Sequence, residues 1–448
     1  IRTKWIFKRK LKDDGSVARY KTRLVAQGFS QVEGEDCFET SARVARMSTL
    51  RTGFSLAAEH DFELEDMDVD AAYSNAPVEE ELYIPFVRHL RKSLYGLKLS
   101  GRNWNNTLDD FLVGMGLDRS TTDSCLYFSR DEGGETNLLV AVYVDDLVIA
   151  GRREKVDEFK HNISQRFRIK DLGSLSRVLG IEVRRDHPNG DRTISQGSYI
   201  REVQKRYGFD ECRGVTPCAG VQESTRGRSG NSTEYRGMVG LLMYASTGTR
   251  PDIAYEVHQA AHRMENPCRE DFSTCKRIFR YLSTVPDFDI TFGGKSNGHG
   301  LEGFVYANWA EDVEDRKSTT GYVFNLNGGA MSWCNKFSRK QQLVTWSSTE
   351  AEYVAAGEAG KETVYLRELL GSIGFGCRGS TTLFEDNKSA INLSKRSGAH
   401  CRTKHIGVRW HGIREWIREG VLALKYVQTG EQYADILTKE LSRVNFRD

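Results

Sequence analysis

The 448-residue sequence contains no Cys-x-x-Cys pair. Its nine cysteines are scattered, and Cys212 with Cys218, or Cys268 with Cys275, are spaced too widely for a zinc knuckle and lack histidines at finger spacing. Zinc-knuckle and zinc-finger functions are thereby excluded, and the odd count points to free thiols in a reducing compartment. Long hydrophobic runs are also missing. The longest, LLVAVYVDDLVIAG (138–151), is too short to span a membrane and carries two aspartates in its middle. No signal peptide and no internal repeat is visible. A strong charge of one sign is lacking too, the formal net charge being +2.

That small total hides an asymmetry. Residues 1–30 hold nine Lys/Arg and two Asp, a local +7, so the remainder carries −5. A basic front end on a mildly acidic chain implies a localised anion-binding surface. The length implies two or three domains, and 39% hydrophobic with 28% charged residues suits packed globular cores. Ile1 falls inside what reads as a strand, so the sequence is expected to be part of a longer polypeptide.

The pattern predicts a β-hairpin over 4–26 turning at DDGS, a helix over 41–60, a strand and short helix over 64–75, and a helix over 102–116. NLLVAVYVDDLVIAG reads as two buried strands meeting at the Asp pair. An amphipathic helix follows over 153–168, with Val156, Phe159, Ile163 and Phe167 at helical spacing. A hairpin over 177–196 should turn at Pro188-Asn189-Gly190. Residues 198–285 read as mostly helical, broken by QESTRGRSGNSTEY, and GGKSNGHG (293–300) reads as a linker. Strands at 301–308, 320–326, 330–335 and 381–385 alternate with helices at 350–370, 387–395, 404–419 and 434–441.

Two groups of acids carry potential chemistry. In the front half, Asp68 ends a strand and Asp145 and Asp146 sit at a hairpin tip. Asp66, Asp68 and Asp70 alternate with Met67 and Val69, as an exposed strand face would. Adjacent like charges between apolar strands, however, repel each other and lose hydration, so Asp145 and Asp146 call for a cation. Two divalent metals between such carboxylates can activate a 3′-hydroxyl and stabilise a leaving pyrophosphate. The basic hairpin would neutralise a triphosphate or a template backbone. From the residues alone, nucleotidyl transfer and structural acids both stay open.

The phrases RYKTRLVAQGFSQ, KSLYGLK, YVDDLVIAG, LGIEV, RPDIAY, STTGYVF, SSTEAEY, RTKHI and ADILTK occur in order along nearly the whole chain. Together they resemble the polyprotein of copia-type long-terminal-repeat retrotransposons, a reverse transcriptase followed by a ribonuclease H domain. The resemblance implies an α/β and α+β multidomain protein: a right-hand polymerase with fingers, palm and thumb, plus a ribonuclease H-like mixed sheet with helices. Its expected domains are fingers and palm at 1–195, a helical thumb and connection at 196–295, and the ribonuclease H-like domain at 296–448. Asp68, Asp145 and Asp146 match the catalytic, metal-binding carboxylates. Tyr73 matches the residue under the incoming sugar. Lys21, Arg23, Gly96 and Lys98 match substrate-binding positions, and LGIEV (179–183) matches the hairpin at the primer end. Two Mg²⁺ ions, replaceable by Mn²⁺, are implied, with an RNA template, a DNA primer, an RNA–DNA hybrid and dNTPs as partners and no membrane. The implied location is cytoplasmic, in a virus-like particle, or nuclear, and not secreted; the oligomeric state is left open.

In the back half Glu352, Asp386 and Asp435 match ribonuclease H acids. Each also has a structural reading: Glu352 as the acid of a capping box begun by Thr349, Asp386 as cap of the following helix, and Asp435 as a favourable charge at a helix start. The helix at 404–419 carries Ile406, Trp410, Ile413 and Ile417 on one stripe, and His405 and His411 lack ligand partners at metal spacing. Arg402, Lys404 and Arg409 suit either phosphate contact or solvation.

The first ribonuclease strand should bear two aspartates in a pattern like S-D-A-D-W, the first bridging both metals. Here it reads Val305-Tyr306-Ala307-Asn308-Trp309. A neutral phenol and an amide cannot replace a bridging carboxylate. The 82–92 segment is shorter than the family's, Leu99-Ser100-Gly101 stands where it has Gln-Ala-Pro, and Gly407 and Gly412 fall inside a helix. The expectation is therefore a reverse transcriptase with a defective ribonuclease H-like domain; the alternative is a degenerate, non-catalytic nucleic-acid-binding relic.

Overall fold

In a computed structural model of the chain, the described residues are 1–11, 16–84, 88–186, 190–209, 212, 231–293, 300–310, 316–334, 341, 344–395 and 408–439. They form two compact units, one of residues 1–50 with 63–175, the other of 51–62 with 176–448.

The first unit opens with the expected hairpin, β1 (Thr3–Leu11) antiparallel to β2 (Val17–Ala26). Its turn, 12–15, lies outside the described residues. Helix α1 (Met47–Glu59) contains the boundary between the units. Next come β3 (Glu63–Val69), the short pair β4 (Tyr83–Ile84) and β5 (Arg88–His89), helix α2 (Ser100–Gly114), and strands β6 (Asp118–Arg119), β7 (Leu126–Arg130), β8 (Thr136–Tyr143) and β9 (Asp146–Gly151). Helix α3 (Arg153–Arg166) and β10 (Ile169–Ser174) close the unit. The sheet is antiparallel in the order β10-β3-β9-β8-β7-β6. Strands β8 and β9 are near-continuous apolar runs because both of their faces are buried. Helix α3 buries Val156, Phe159 and Ile163 as its spacing predicts. It stops one residue before Phe167, whose extended backbone turns the ring edge-on to Trp104 and Phe111, with centroids 5.3 and 5.1 Å away.

In the second unit, β11 (Arg177–Val178), β12 (Ile181–Arg185), β13 (Arg192–Ser195) and β14 (Ile290–Phe292) make an antiparallel sheet. Leu179 and Gly180 join β11 to β12 with φ of +48° and +69°, as a type I′ hairpin turn requires. Pro188 and Asn189, expected at the next turn, lie outside the described residues. Helices α4 (Gly197–Tyr207), α5 (Ser232–Gly248), α6 (Ala254–His262) and α7 (Arg269–Thr284) share one apolar core. Of the polar stretch between α4 and α5, 222–230 is outside the described residues, as is 294–299 of the expected linker. The RPDIAY phrase serves structure: Arg250, fully buried, donates to Asp252 at 2.6 Å, and the Tyr281 hydroxyl donates to the same carboxylate at 2.8 Å.

The rest of this unit is a mixed five-stranded sheet. Strands β15 (Glu302–Asn308), β16 (Thr319–Leu326) and β17 (Gly329–Trp333) are antiparallel neighbours; β18 (Thr381–Glu385) and β19 (Leu422–Tyr426) run parallel to β15 on its other side, giving the order β17-β16-β15-β18-β19. Helix α8 (Ser348–Ser372) packs on β15, while α9 (Lys388–Lys395) and α10 (Val408–Arg418) complete the layer. This is the ribonuclease H-like topology expected from the sequence. Gly360 of α8 lets Trp416 of α10 approach, since a Cβ there would lie 2.6 Å from the indole. Ile413 is fully buried on the expected stripe, and His411 Nδ1 meets the Tyr353 hydroxyl at 2.8 Å, a packing role. Arg402, Lys404, His405, Ile406 and Gly407 lie outside the described residues, as do the side chains of Arg409 and Trp410. The expected helix over 434–441 is a short 3-10 segment, Tyr433–Leu437.

Candidate active sites

Asp68 near the end of β3 stands directly opposite Asp146, the first residue of β9. Between β8 and β9 the chain turns through Val144 and Asp145, and Val144 has φ of +59°, a conformation that β-branched residues avoid. The turn is held from two sides: the Trp104 indole N–H donates to the Val144 carbonyl at 2.7 Å, and the Val69 N–H donates to the Asp145 carbonyl at 2.8 Å. Three carboxylates thus converge at the adjoining ends of two paired strands.

The acidic strand face is not the exposed face that simple alternation suggests. Strand β3 lies between β10 and β9, and Asp66 is only 8% exposed. Burial, reinforced by Asp146 and Asp68, pushes its pKa up to about 6. Asp145 and Asp146 are also raised, by burial first and then by Asp68. One oxygen of Asp145 and one of Asp66 are buried without a hydrogen-bond partner. The uncompensated oxygen of Asp145, at the turn and beside Asp68 and Asp146, fits a hard divalent cation.

Asp68, Asp70 and Asp145 line a cavity of about 590 Å³ whose other walls are Lys8, Arg19, Lys21, Arg23, Val69, Ala71, Arg168, Ile169 and Lys170. Six of these residues are cations. Lys21 and Arg23 are legible in the sequence; Lys8, Arg19, Arg168 and Lys170 are not. Register explains the first pair, since Lys8 lies opposite Lys21 and Lys10 opposite Arg19. Arg168 and Lys170 come from the return strand, where Lys170 stands opposite Asp68.

Tyr95, not singled out by sequence reasoning, links the hairpin to the acids. Its hydroxyl lies 3.5 Å from Asp145 Oδ2, the Arg23 guanidinium sits 4.7 Å above its ring, and the Tyr73 ring is 4.7 Å away. Burial and then Asp145 push the Tyr95 hydroxyl up to about 12, and the same two causes raise Tyr73. Gly96 has φ of +91°, and a Cβ there would lie 2.2 Å from the Ala26 carbonyl oxygen, so the backbones meet closely where the Ala26 N–H donates to the Tyr95 carbonyl. Lys98 is engaged elsewhere, its ammonium donating to the Gln31 carbonyl at 3.0 Å and its N–H to the Gln31 side chain at 2.7 Å. Neither Gly96 nor Lys98 lines the cavity.

In the ribonuclease H-like sheet the capping readings fail for two acids. Helix α8 is capped by Ser347, with Glu350 reaching back to the Trp346 N–H at 2.8 Å, so Glu352 is no part of a capping box. Helix α9 is capped by Asn387, whose side chain accepts from Ser389 and Ala390, so Asp386 does not fill that role. Glu352 and Asp386 instead meet Glu385, with carboxylate oxygens of all three within 4.8 Å of one another. Glu352 is 4% exposed and Glu385 fully buried. Burial drives both well upward, Glu352 further through the charges of Glu385 and Asp386. Asp386 also accepts from the Thr429 hydroxyl at 2.9 Å.

Asp435 has a different partner. Its carboxylate is ion-paired to Lys439 at 2.6 Å, and the same ammonium lies 4.5 Å over the Tyr306 ring. Tyr306 is half-buried and its phenol is raised, by burial first. Asn308 donates to the Thr438 carbonyl at 3.4 Å. A phenol and an ammonium thus lie beside Asp435 at this end of β15. Among the described residues no helix is long and apolar enough to cross a membrane, and the cysteines are free thiols.

Comparison with known proteins shows the family to which the chain is similar. The family described as reverse transcriptase (RNA-dependent DNA polymerase) matches residues 1–219. The retrovirus-related Pol polyprotein from transposon TNT 1-94 of Nicotiana tabacum is 38% identical over all of this chain, which covers 35% of that polyprotein. The corresponding polyprotein from transposon RE1 of Arabidopsis thaliana is 35% identical over 99% of the chain and 31% of its own length. The Ty1-DR6 Gag-Pol polyprotein of Saccharomyces cerevisiae is 24% identical over all of the chain and 26% of its own length. The chain spans about a third or less of these relatives. Ordered phrases, an antiparallel sheet with converging acids and a mixed sheet behind it place this chain in the family of copia-type retrotransposon Pol polyproteins, of which it carries the reverse transcriptase domain.

Proposed function

We propose that the chain extends a DNA primer on an RNA template, with Asp68 and Asp145 as the residues that would hold Mg²⁺ and Asp146 shaping the charge of the site. The observation that carries this reading is the cavity itself, lined by Asp68 and Asp145 of the triad, by Asp70, and by six cations. Two bound divalent ions would lower the pKa of the primer 3′-hydroxyl and stabilise charge on the leaving pyrophosphate. The chain's own part is orientation. Lys8, Arg19, Lys21 and Arg23 on the hairpin, with Arg168 and Lys170 opposite, attract and align a triphosphate for in-line displacement. Tyr73, its ring tilted against that of Tyr95, would lie under the incoming sugar; Gly96 and Lys98 would act through the backbone contacts that seat the hairpin. In this reading 1–195 serve as fingers and palm, 196–295 as thumb and connection, and LGIEV meets the primer end.

The ribonuclease H-like domain, on this proposal, does not cut the RNA of a hybrid, because Tyr306 and Asn308 supply no bridging carboxylate and Lys439 neutralises Asp435. Primer extension and hybrid cleavage on one preparation test both halves. Extension should fall by about 10³-fold or more in Asp145→Asn, as for removal of a group acting in the transition state, and hybrid cleavage should not exceed that of a Glu352→Gln control. Extension no greater than in the Asp145→Asn variant would leave the non-catalytic, nucleic-acid-binding relic as the reading; salt-dependent binding would then be its remaining activity.

A further inference from the structure

Strand β18 has period-two burial. Thr381, Leu383 and Glu385 point inward under α8, and Phe384 alternates with them. An inward glutamate at that position, fully buried, has no basic partner among the described residues; one of its oxygens accepts from the Asn387 N–H at 3.0 Å. Its second oxygen has no hydrogen bond, and neither does one oxygen of the buried Glu352 beside it. Leaving two buried carboxylates of like charge unsatisfied is costly without a cation. Asp386, half-exposed at the strand end, adds a third ligand within 4.8 Å.

We propose that Glu352, Glu385 and Asp386 bind a single hard divalent cation in the ribonuclease H-like domain, with Glu385 as a ligand and without Asp435 or residue 306. Three carboxylates around one ion, with water completing the shell, suit Mg²⁺, Mn²⁺ or Ca²⁺. Asp435 is excluded because its charge is already met by Lys439 at 2.6 Å, and Tyr306 because its phenol lies against the same ammonium. The domain has then exchanged a two-metal nuclease site for a one-ion site that joins the end of β18 to α8. Its role is to hold that junction together.

Mn²⁺ binding to the full chain, followed by electron paramagnetic resonance, tests this. The polymerase carboxylates are first neutralised in an Asp68→Asn/Asp145→Asn/Asp146→Asn background, so a failed polymerase reading leaves the measurement unaffected. One bound Mn²⁺ is expected in that background. Glu385→Gln should weaken it at least tenfold, Asp386→Asn likewise, and Asp435→Asn should leave it within twofold. Melting curves without metal control for folding: Glu385→Gln removes a buried, unsatisfied charge, so its Tm should equal or exceed that of the background, while the rise in Tm caused by Mn²⁺ should disappear. No bound ion in the background, full affinity in Glu385→Gln, or equal losses in Asp435→Asn would each overturn the proposal. A Glu385→Gln chain that melts well below its background would do so too, since the carboxylate would then be satisfied by the protein itself.

Discussion

The two acid sites solve the same electrostatic problem in opposite ways. Where β3 ends and β9 begins, Asp68 and Asp145 open onto a cavity whose cations come from the hairpin and from the chain beside β3, with Arg168 paired to Asp70 at 3.2 Å. Beside the end of β15 the balance is internal: Lys439, four residues after Asp435, reaches its carboxylate and the Tyr306 ring. The first arrangement leaves room for an anionic substrate between acid and base. The second closes it. The difference separates a carboxylate open to a ligand from one already paired more sharply than burial does, because Asp145 and Asp435 are both half-buried and raised in pKa.

Substitutions can break that contrast. The largest effect outside the Asp145–Asp146 turn is expected from Lys439→Met, which strands Asp435 beside Tyr306. It should lower unfolding stability by about 2–3 kcal/mol at pH 7, the usual consequence of removing one partner of a partly buried pair. Chemical denaturation at pH 7 and pH 4 checks the cause, since protonation of Asp435 should remove most of the loss at the lower pH. Lys21→Ala, in the open site, should hardly change stability but raise the KM for dNTP by roughly tenfold, equivalent to ~1.4 kcal/mol, in steady-state primer extension. The smallest effect sharpens the comparison from inside the palm. Asp66 holds its proton more tightly folded than unfolded, so its contribution is full below the unfolded carboxylate pKa and fades as pH rises through about 6. Asp66→Asn should therefore stabilise the metal-free chain at pH 7.5 by on the order of 1 kcal/mol and much less at pH 4, as urea titrations in the presence of chelator would measure.

How far each site can be read in advance follows from the range of the signal. Asp145 and Asp146 are legible because adjacent like charges between two apolar runs are anomalous within six residues. The helix α3 stripe is legible for the same local reason. Lys8 and Arg19 require strand register, and Arg168 and Lys170 require knowing that the chain after α3 returns beside β3. Alternation misplaces Asp66 because it does not reveal that a strand has neighbours on both edges. Glu385 has a usable signal, its inward parity with Thr381 and Leu383, but the following Asp-Asn pair looks sufficient to explain the turn into α9. Lys98 shows the reverse: its place in a recognisable phrase says nothing about where the ammonium goes, and here it supports Gln31.

Tyr95 has a mechanical consequence. Its carbonyl is fixed to Ala26, its ring carries Arg23, and its hydroxyl touches Asp145. One residue therefore ties the root of the basic hairpin to the turn that carries Asp145, so a single side chain sets the spacing between a cation of the hairpin and that acid.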